Sequence, residues 1–365
     1  MNAQPVRLFA MNRRTVELSN RRTSLVRVRL GAHMSIAGGL DKAPLRGQKV
    51  GCDTIQVFTK SNRQWHAKVL GDREIEAFKR NLGTSGIGPV VAHTCYLINL
   101  AAPRRLVWRK SVAAFRDELE RAERLGIPYL VTHPGSHGGA GEAEGIHRVA
   151  EALNVLHAVL SGCRVQILLE TTAGQGTSLG YRFDQLAAIL AEVERRDRVG
   201  ICLDTCHVFA AGYELRTRQG YRSTWRDFTT CLGLDRLKVI HLNDSKADLG
   251  SRIDRHQHIG KGRLGLTPFR FLVNDPRLRR LPMILETPKD SDSMRADRRN
   301  LGCLRRLLQS HRPAWIIHEG HVNNPGLPDR WLVPPSAGRH REMGAVGTRP
   351  VSHGTGAVSR YTSKV

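Results

Sequence analysis

Six short apolar runs each end in a side chain able to bind a metal: Ala92-His93, Thr132-His133, Leu169-Glu170, Leu203-Asp204, Ile240-His241 and Leu285-Glu286. Three more ligand types, His207, Asp254 and His256, lie just beyond two of those runs. Imidazole nitrogen and carboxylate oxygen together suit Zn²⁺, with Mn²⁺ an alternative at one position, and such an ion takes about four to five ligands. Nine donors exceed the needs of one ion, so a cluster of two or three is expected. Any one of these histidines alone reads as a hydrogen-bonded structural residue. Their shared place at the end of a buried run argues otherwise, because acids and imidazoles gathered without cations would strand repelling charges in a partly desolvated pocket.

Spacing adds detail. In Leu203-Asp204-Thr205-Cys206-His207 the histidine lies three residues past the acid, so both can face one mouth and serve different ions. In Asp254-Arg255-His256 side chains two apart in an extended segment point the same way, and His207 would complete a separate His₂Asp set.

The elements that must position these groups follow from periodicity. Strand-like apolar runs occupy about 27–32, 53–58, 88–93, 128–133, 165–170, 199–204, 237–242 and 281–286, with helical spacing between them, clearest at 108–125 and 142–160 and again at 292–309. Strand alternating with helix eight times predicts a (β/α)₈ TIM barrel, with all the strand-end side chains on the C-terminal face where barrel enzymes keep their chemistry. The stretches 205–236 and 243–266 are long for simple connections and are expected to build the site. A barrel over 27–310 leaves a basic extension at 1–26 and a Gly/Pro/Ser/His-rich tail at 311–365, both expected to be disordered.

No apolar run approaches the roughly 20 residues needed to span a bilayer. The seven cysteines match neither a disulfide framework nor a paired zinc motif. A protein of the reducing cytoplasm is expected, a monomer associated with the nucleoid. Of the formal charge of +24, residues 1–28 carry +5 and 311–365 carry +4, leaving +15 on the barrel. An excess of that size suits a polyanionic partner such as nucleic acid.

The segments Val91-Ala92-His93-Thr94-Cys95-Tyr96-Leu97-Ile98-Asn99-Leu100, His133-Pro134-Gly135-Ser136-His137, Glu170-Thr171-Thr172-Ala173-Gly174-Gln175-Gly176, Leu203-Asp204-Thr205-Cys206-His207, His241-Leu242-Asn243-Asp244, Asp254-Arg255-His256 and Leu285-Glu286-Thr287 occur in an order and spacing that resemble the endonuclease IV family of abasic-site repair nucleases. The resemblance spans about residues 28–290. It implies a TIM barrel with three zinc ions: His93 and His133 on a first, Glu170 bridging it to a second, and Asp204, His241 and Glu286 completing that second site. It gives His207, Asp254 and His256 to the third. It further implies hydrolysis of the phosphodiester 5′ to an abasic site in double-stranded DNA, removal of 3′-blocking groups, catalytic roles for Glu170 and Glu286, and duplex-penetrating contacts from Arg63 and Tyr96.

Without the family, Arg63 is a surface cation near a packing Trp65, and Tyr96 a packing tyrosine. Lys60, Lys246, Arg252, Arg255, Lys261 and Arg263 are further candidates for holding a phosphate backbone. Two positions depart from the family pattern: Thr171 replaces a frequent Asn, which is expected to loosen support of the Glu170 loop, and Lys261 replaces a frequent Glu. Two rival readings use the same residues. A sugar isomerase or epimerase also places acids and histidines at barrel strand ends, but has little need for a His207/Asp254/His256 set or a basic barrel. A non-catalytic nucleic-acid-binding protein would need no full ligand set.

Overall fold

Eight runs rich in Val, Ile and Leu, too short for helices and bounded by turn residues, form eight parallel strands. In the computed structural model, which describes residues 28–289 and 293–308, they are β1 (Arg29–His33), β2 (Thr54–Phe58), β3 (Val90–His93), β4 (Tyr129–Thr132), β5 (Gln166–Glu170), β6 (Val199–Asp204), β7 (Leu237–His241) and, after a two-residue hairpin of β8 (Asp244–Ser245) and β9 (His256–Gln257), β10 (Pro282–Leu285). The strands close in the order β1-β10-β7-β6-β5-β4-β3-β2, so the sheet has no free edge. This is the expected TIM barrel. The extensions expected at 1–26 and 311–365 lie outside the described residues.

The helices are α1 (Lys42–Val50), α2 (Asp72–Ser85), α3 (Arg105–Leu125), α4 (Glu142–Val159), α5 (Phe183–Glu192), α6 (Thr205–Ala210), α7 (Arg218–Leu232), α8 (Thr267–Asn274) and α9 (Ser293–Leu307), and of these the short α6, directly after β6, is buried throughout. Each of the longer ones buries one stripe; in α3 Trp108, Phe115, Leu119 and Ala122 face the sheet. The stretch 205–236 is therefore mostly helix, α6 and α7, where a long connection was expected. The stretch 243–266 is irregular apart from the β8–β9 hairpin. Among the described residues no helix is long and apolar enough to cross a membrane.

The barrel interior is a separate small core of Val91, Val131, Leu168, Cys202, Val239 and Ile284, all fully buried. Gly31 stands where β1 meets β2, and a Cβ there would collide with the Thr54 carbonyl. Only glycine fits that contact.

Candidate metal centre

Each residue of the inner core lies two positions before a predicted ligand: Val91 before His93, Val131 before His133, Leu168 before Glu170, Cys202 before Asp204, Val239 before His241 and Ile284 before Glu286. Side chains two apart on a strand share a face. The apolar layer that plugs the barrel thus dictates that the next inward position on six strands, at their C-terminal ends, carries a ligand type.

The structure brings all nine predicted ligands together in three groups whose donor atoms lie within 4.8 Å of one another: His93, His133 and Glu170; Glu170, Asp204, His241 and Glu286; and His207, Asp254 and His256. Glu170 joins the first two. Its Oε2 lies 3.1 Å from His93 Nε2 and 3.2 Å from His133 Nε2, and its Oε1 3.0 Å from His241 Nδ1. His241 Nδ1 is also 3.1 Å from Glu286 Oε2 and 3.8 Å from Asp204 Oδ2. In the third group Asp254 Oδ1 is 3.2 Å from His207 Nε2 and 3.5 Å from His256 Nε2. Glu170, Asp204 and His241 are fully buried, whereas the His133 and Asp254 side chains are 37% and 40% exposed, so the cluster opens to solvent on their side.

The imidazole tautomers test whether the pocket suits metal ions. Nδ1 of His93 donates to the Thr94 carbonyl (2.8 Å), Nδ1 of His207 to the Thr171 carbonyl (2.8 Å) and Nδ1 of His256 to the Glu286 carbonyl (3.0 Å). A carbonyl can only accept, so in all three rings Nδ1 carries a proton and Nε2 is left to face Glu170 in His93 and Asp254 in His207 and His256. Positive charge is required there. Burial pushes the Glu170 carboxyl up, yet His241 and His133 hold it well below its ordinary range. Burial likewise pushes His207 down, and Asp204 and Asp254 carry it well above. Without a metal, protons supply that charge. His207 and His256 turn their Nε2 atoms to each other at 3.3 Å beside Asp254, and one proton bridges at most two of these three groups, while one divalent ion suits all three donors. The donor set fits zinc.

Several supporting residues carry no metal-ligand signal and were not among the predicted site residues. Gln56, fully buried on β2, accepts from His241 Nε2 (2.8 Å) and donates to Glu286 Oε1 (2.6 Å) and His33 Nδ1 (3.0 Å). It fixes the opposite tautomer in His241, leaving Nδ1 for the acids. Asn243 donates to Asp204 Oδ2 (2.6 Å) and accepts from the Glu286 N–H (2.8 Å). Asp204 also caps α6 by accepting from the His207 N–H (2.9 Å), which sets the three-residue spacing of the two ligands. Buried Asp244 accepts from the N–H groups of Gly260, Gly262 and Leu264 and so closes the loop bearing Asp254 and His256. The visible signal for Gln56 was a lone amide inside an apolar strand. Gln56→Leu is expected to weaken zinc binding about 10- to 100-fold, as outer-shell losses do. A competition titration with a chromogenic chelator measures this, and an unchanged affinity would leave Gln56 a packing residue.

Thr171 is bonded into the site on two sides. Its hydroxyl accepts from the Asp204 N–H (2.9 Å) while its carbonyl holds His207, so threonine supports the second acid directly. Tyr96 stands at the mouth, 57% exposed, its ring 6.3 Å from that of His93. Arg63 is exposed on the β2–α2 loop. Lys60, a candidate for holding a phosphate backbone, is buried and faces the protein instead: its ammonium donates to Asp117 (3.0 Å) and to the Trp65 carbonyl (3.1 Å). Lys246, Arg252, Arg255, Lys261 and Arg263 are exposed around the Asp254 loop.

Comparison with known proteins gives the same family. Residues 46–307 match a family model described as a xylose isomerase-like TIM barrel. The chain is 55% identical over 281 residues to a Chloroflexus aurantiacus protein named "Probable endonuclease 4", an alignment covering 77% of this chain and 98% of the relative. A crystal structure of endonuclease IV from Thermus thermophilus is similar at a TM-score of 0.68 and 38% identity, covering 76% of this chain and 98% of the other. A D-tagatose 3-epimerase-like protein is similar at a TM-score of 0.58 and 17% identity over 76% of this chain and 98% of the other, a likeness of fold alone.

Proposed function

The chain belongs to the endonuclease IV family, and we propose that it is a zinc-dependent DNA repair endonuclease hydrolysing the phosphodiester 5′ to an abasic site. The products are a 3′-hydroxyl and a 5′-deoxyribose phosphate, and the same chemistry at a blocked 3′ terminus removes the blocking group. The observation that carries this reading is the merging of two donor groups at Glu170 beside a third, at the face where barrel enzymes act.

In this reading His93, His133 and Glu170 hold one ion, Glu170, Asp204, His241 and Glu286 a second, and His207, Asp254 and His256 a third. Divalent ions held by these residues would supply a nucleophile at neutral pH and neutralise charge on the phosphate and the departing oxygen. The protein's own groups do the rest. Glu170 and Glu286 set the spacing of the donors, and Gln56 and Asn243 hold the acids in place. Arg63 and Tyr96 enter the duplex at the lesion, where no base resists unstacking. The exposed cations of the Asp254 loop track the backbone, so binding weakens steeply with salt.

The test is cleavage of an end-labelled duplex with one abasic site beside an undamaged duplex and a ketose substrate. A single nick 5′ to the lesion, with the undamaged strand intact, is expected. An uncut lesion with turnover of the ketose would transfer the centre to the epimerase reading.

A further inference from the structure

Helix α3 buries charge under the rim of the barrel. The Lys60 and Glu118 side chains are each 1% exposed and lie 3.7 Å apart, with Asp117 3.0 Å from the same ammonium. Burying such a pair costs more than packing apolar residues of the same volume, so its presence calls for a structural return.

That return is found in two loops. Lys60 donates to the Trp65 carbonyl, and Arg121 donates to the Thr59 carbonyl (3.0 and 2.7 Å) and the Lys68 carbonyl (3.0 Å), which pins both ends and the middle of the irregular segment carrying Arg63. Glu118 Oε1 accepts from the Cys95 N–H at 3.1 Å, which pins the turn carrying Tyr96. Through Asp117, Glu118 and Arg121, on neighbouring turns of α3, the loop after β2 that carries Lys60 is therefore joined to the loop after β3.

We propose that the buried Lys60–Glu118 pair is a positioning device that holds the Arg63 and Tyr96 loops at a fixed separation before DNA arrives, so that the lesion meets a preformed wedge. This rests on the reading of Arg63 and Tyr96 as duplex contacts. Preformed loops save the ordering cost that association otherwise pays. The pair's hydrogen bonds and ion pairs go to Asp117, Trp65 and Cys95 and to each other rather than to the nine donors, so its loss falls on binding and spares turnover and metal content.

The experiment compares wild type, a Lys60→Met/Glu118→Met double variant that strands no buried charge, and Lys60→Arg, which keeps the charge and the donors. Each zinc-replete protein is titrated with an abasic duplex whose scissile linkage resists cleavage, and turnover is measured with a cleavable duplex at saturation. The double variant is expected to raise Kd about tenfold or more, with turnover, zinc content and melting temperature near wild type, and Lys60→Arg to keep Kd at the wild-type value. A Kd unchanged in the double variant but raised by Arg63→Ala overturns the positioning role alone. If Arg63→Ala and Tyr96→Ala both leave Kd unchanged, the duplex contacts fall and the proposal with them. Turnover or zinc content falling in step with Kd overturns it as a general structural defect.

Discussion

Glu170→Gln is expected to lower turnover on an abasic duplex by about 10³-fold or more, a loss of roughly 4 kcal/mol in transition-state stabilisation. The size follows from the carboxylate's position. It is the residue shared by two donor groups, with one oxygen 3.1 and 3.2 Å from His93 and His133 and the other 3.0 Å from His241. An amide of the same shape keeps one acceptor oxygen but loses the charge, and its NH₂ points donors at nitrogens that must stay free. Zinc content should fall by at least one ion per chain, read by elemental analysis. Stranding the facing imidazoles costs on the order of 3 kcal/mol of stability, visible as a lower melting temperature with circular dichroism unchanged. Duplex binding should survive, because Arg63, Tyr96 and the cations of the Asp254 loop are untouched. Full turnover at full zinc occupancy would remove Glu170 from the centre.

The nine donor residues were legible for a definite reason. Ile240-His241 and Leu285-Glu286 each place a polar group at the first inward position beyond an apolar plug, and period-two alternation is a local property that sequence displays directly. The strand limits likewise followed from local composition to within about two residues, the ordinary looseness of element ends. Gln56 and Asn243 escaped because their role is relational. Gln56 meets His241 across 185 positions of sequence, and Asn243 meets Glu286 across 43. An amide in a strand announces a donor and an acceptor but not their partners. Lys60 misled for the same reason: lysine is exposed by default, and the Asp117 that draws it inward lies 57 positions on. The length of 205–236 suggested a long loop although Tyr221, Thr224, Trp225, Phe228 and Leu232 carry the spacing of the buried face of α7.

Shared fold does not separate this centre from a sugar-epimerising barrel, since strand-end acids and histidines serve both. What separates them is the part of the site built off the strands. His207 comes from α6, positioned by the cap that Asp204 provides, and Asp254 and His256 from a loop closed around Asp244. Exposed cations ring that same loop. A third donor group bordered by positive charge suits a phosphodiester held in a polyanionic chain better than a small neutral sugar.

Removing the metals should therefore have the largest effect of all. Exhaustive chelation is expected to reduce cleavage of the abasic duplex by about 10⁴-fold or more, about 5 kcal/mol, and zinc alone should restore it. The pH dependence of rebinding carries its own signature. Ligation needs His93 and His207 to present bare Nε2 atoms, yet in the metal-free protein Glu170 lifts His93 above its ordinary value against the effect of burial, and Asp204 and Asp254 lift His207 further. Protons thus compete with zinc at these rings above the pH at which free imidazole has shed them. Zinc affinity should fall as pH falls, and should still be rising with pH beyond about 6.5, where an unperturbed histidine site would level off. Zinc titrations of the apoprotein between about pH 5 and 8 measure this. An affinity flat across that range would mean that the imidazoles are not the ligands, and cleavage that persists in fully chelated protein would mean that the nine donors serve some other purpose.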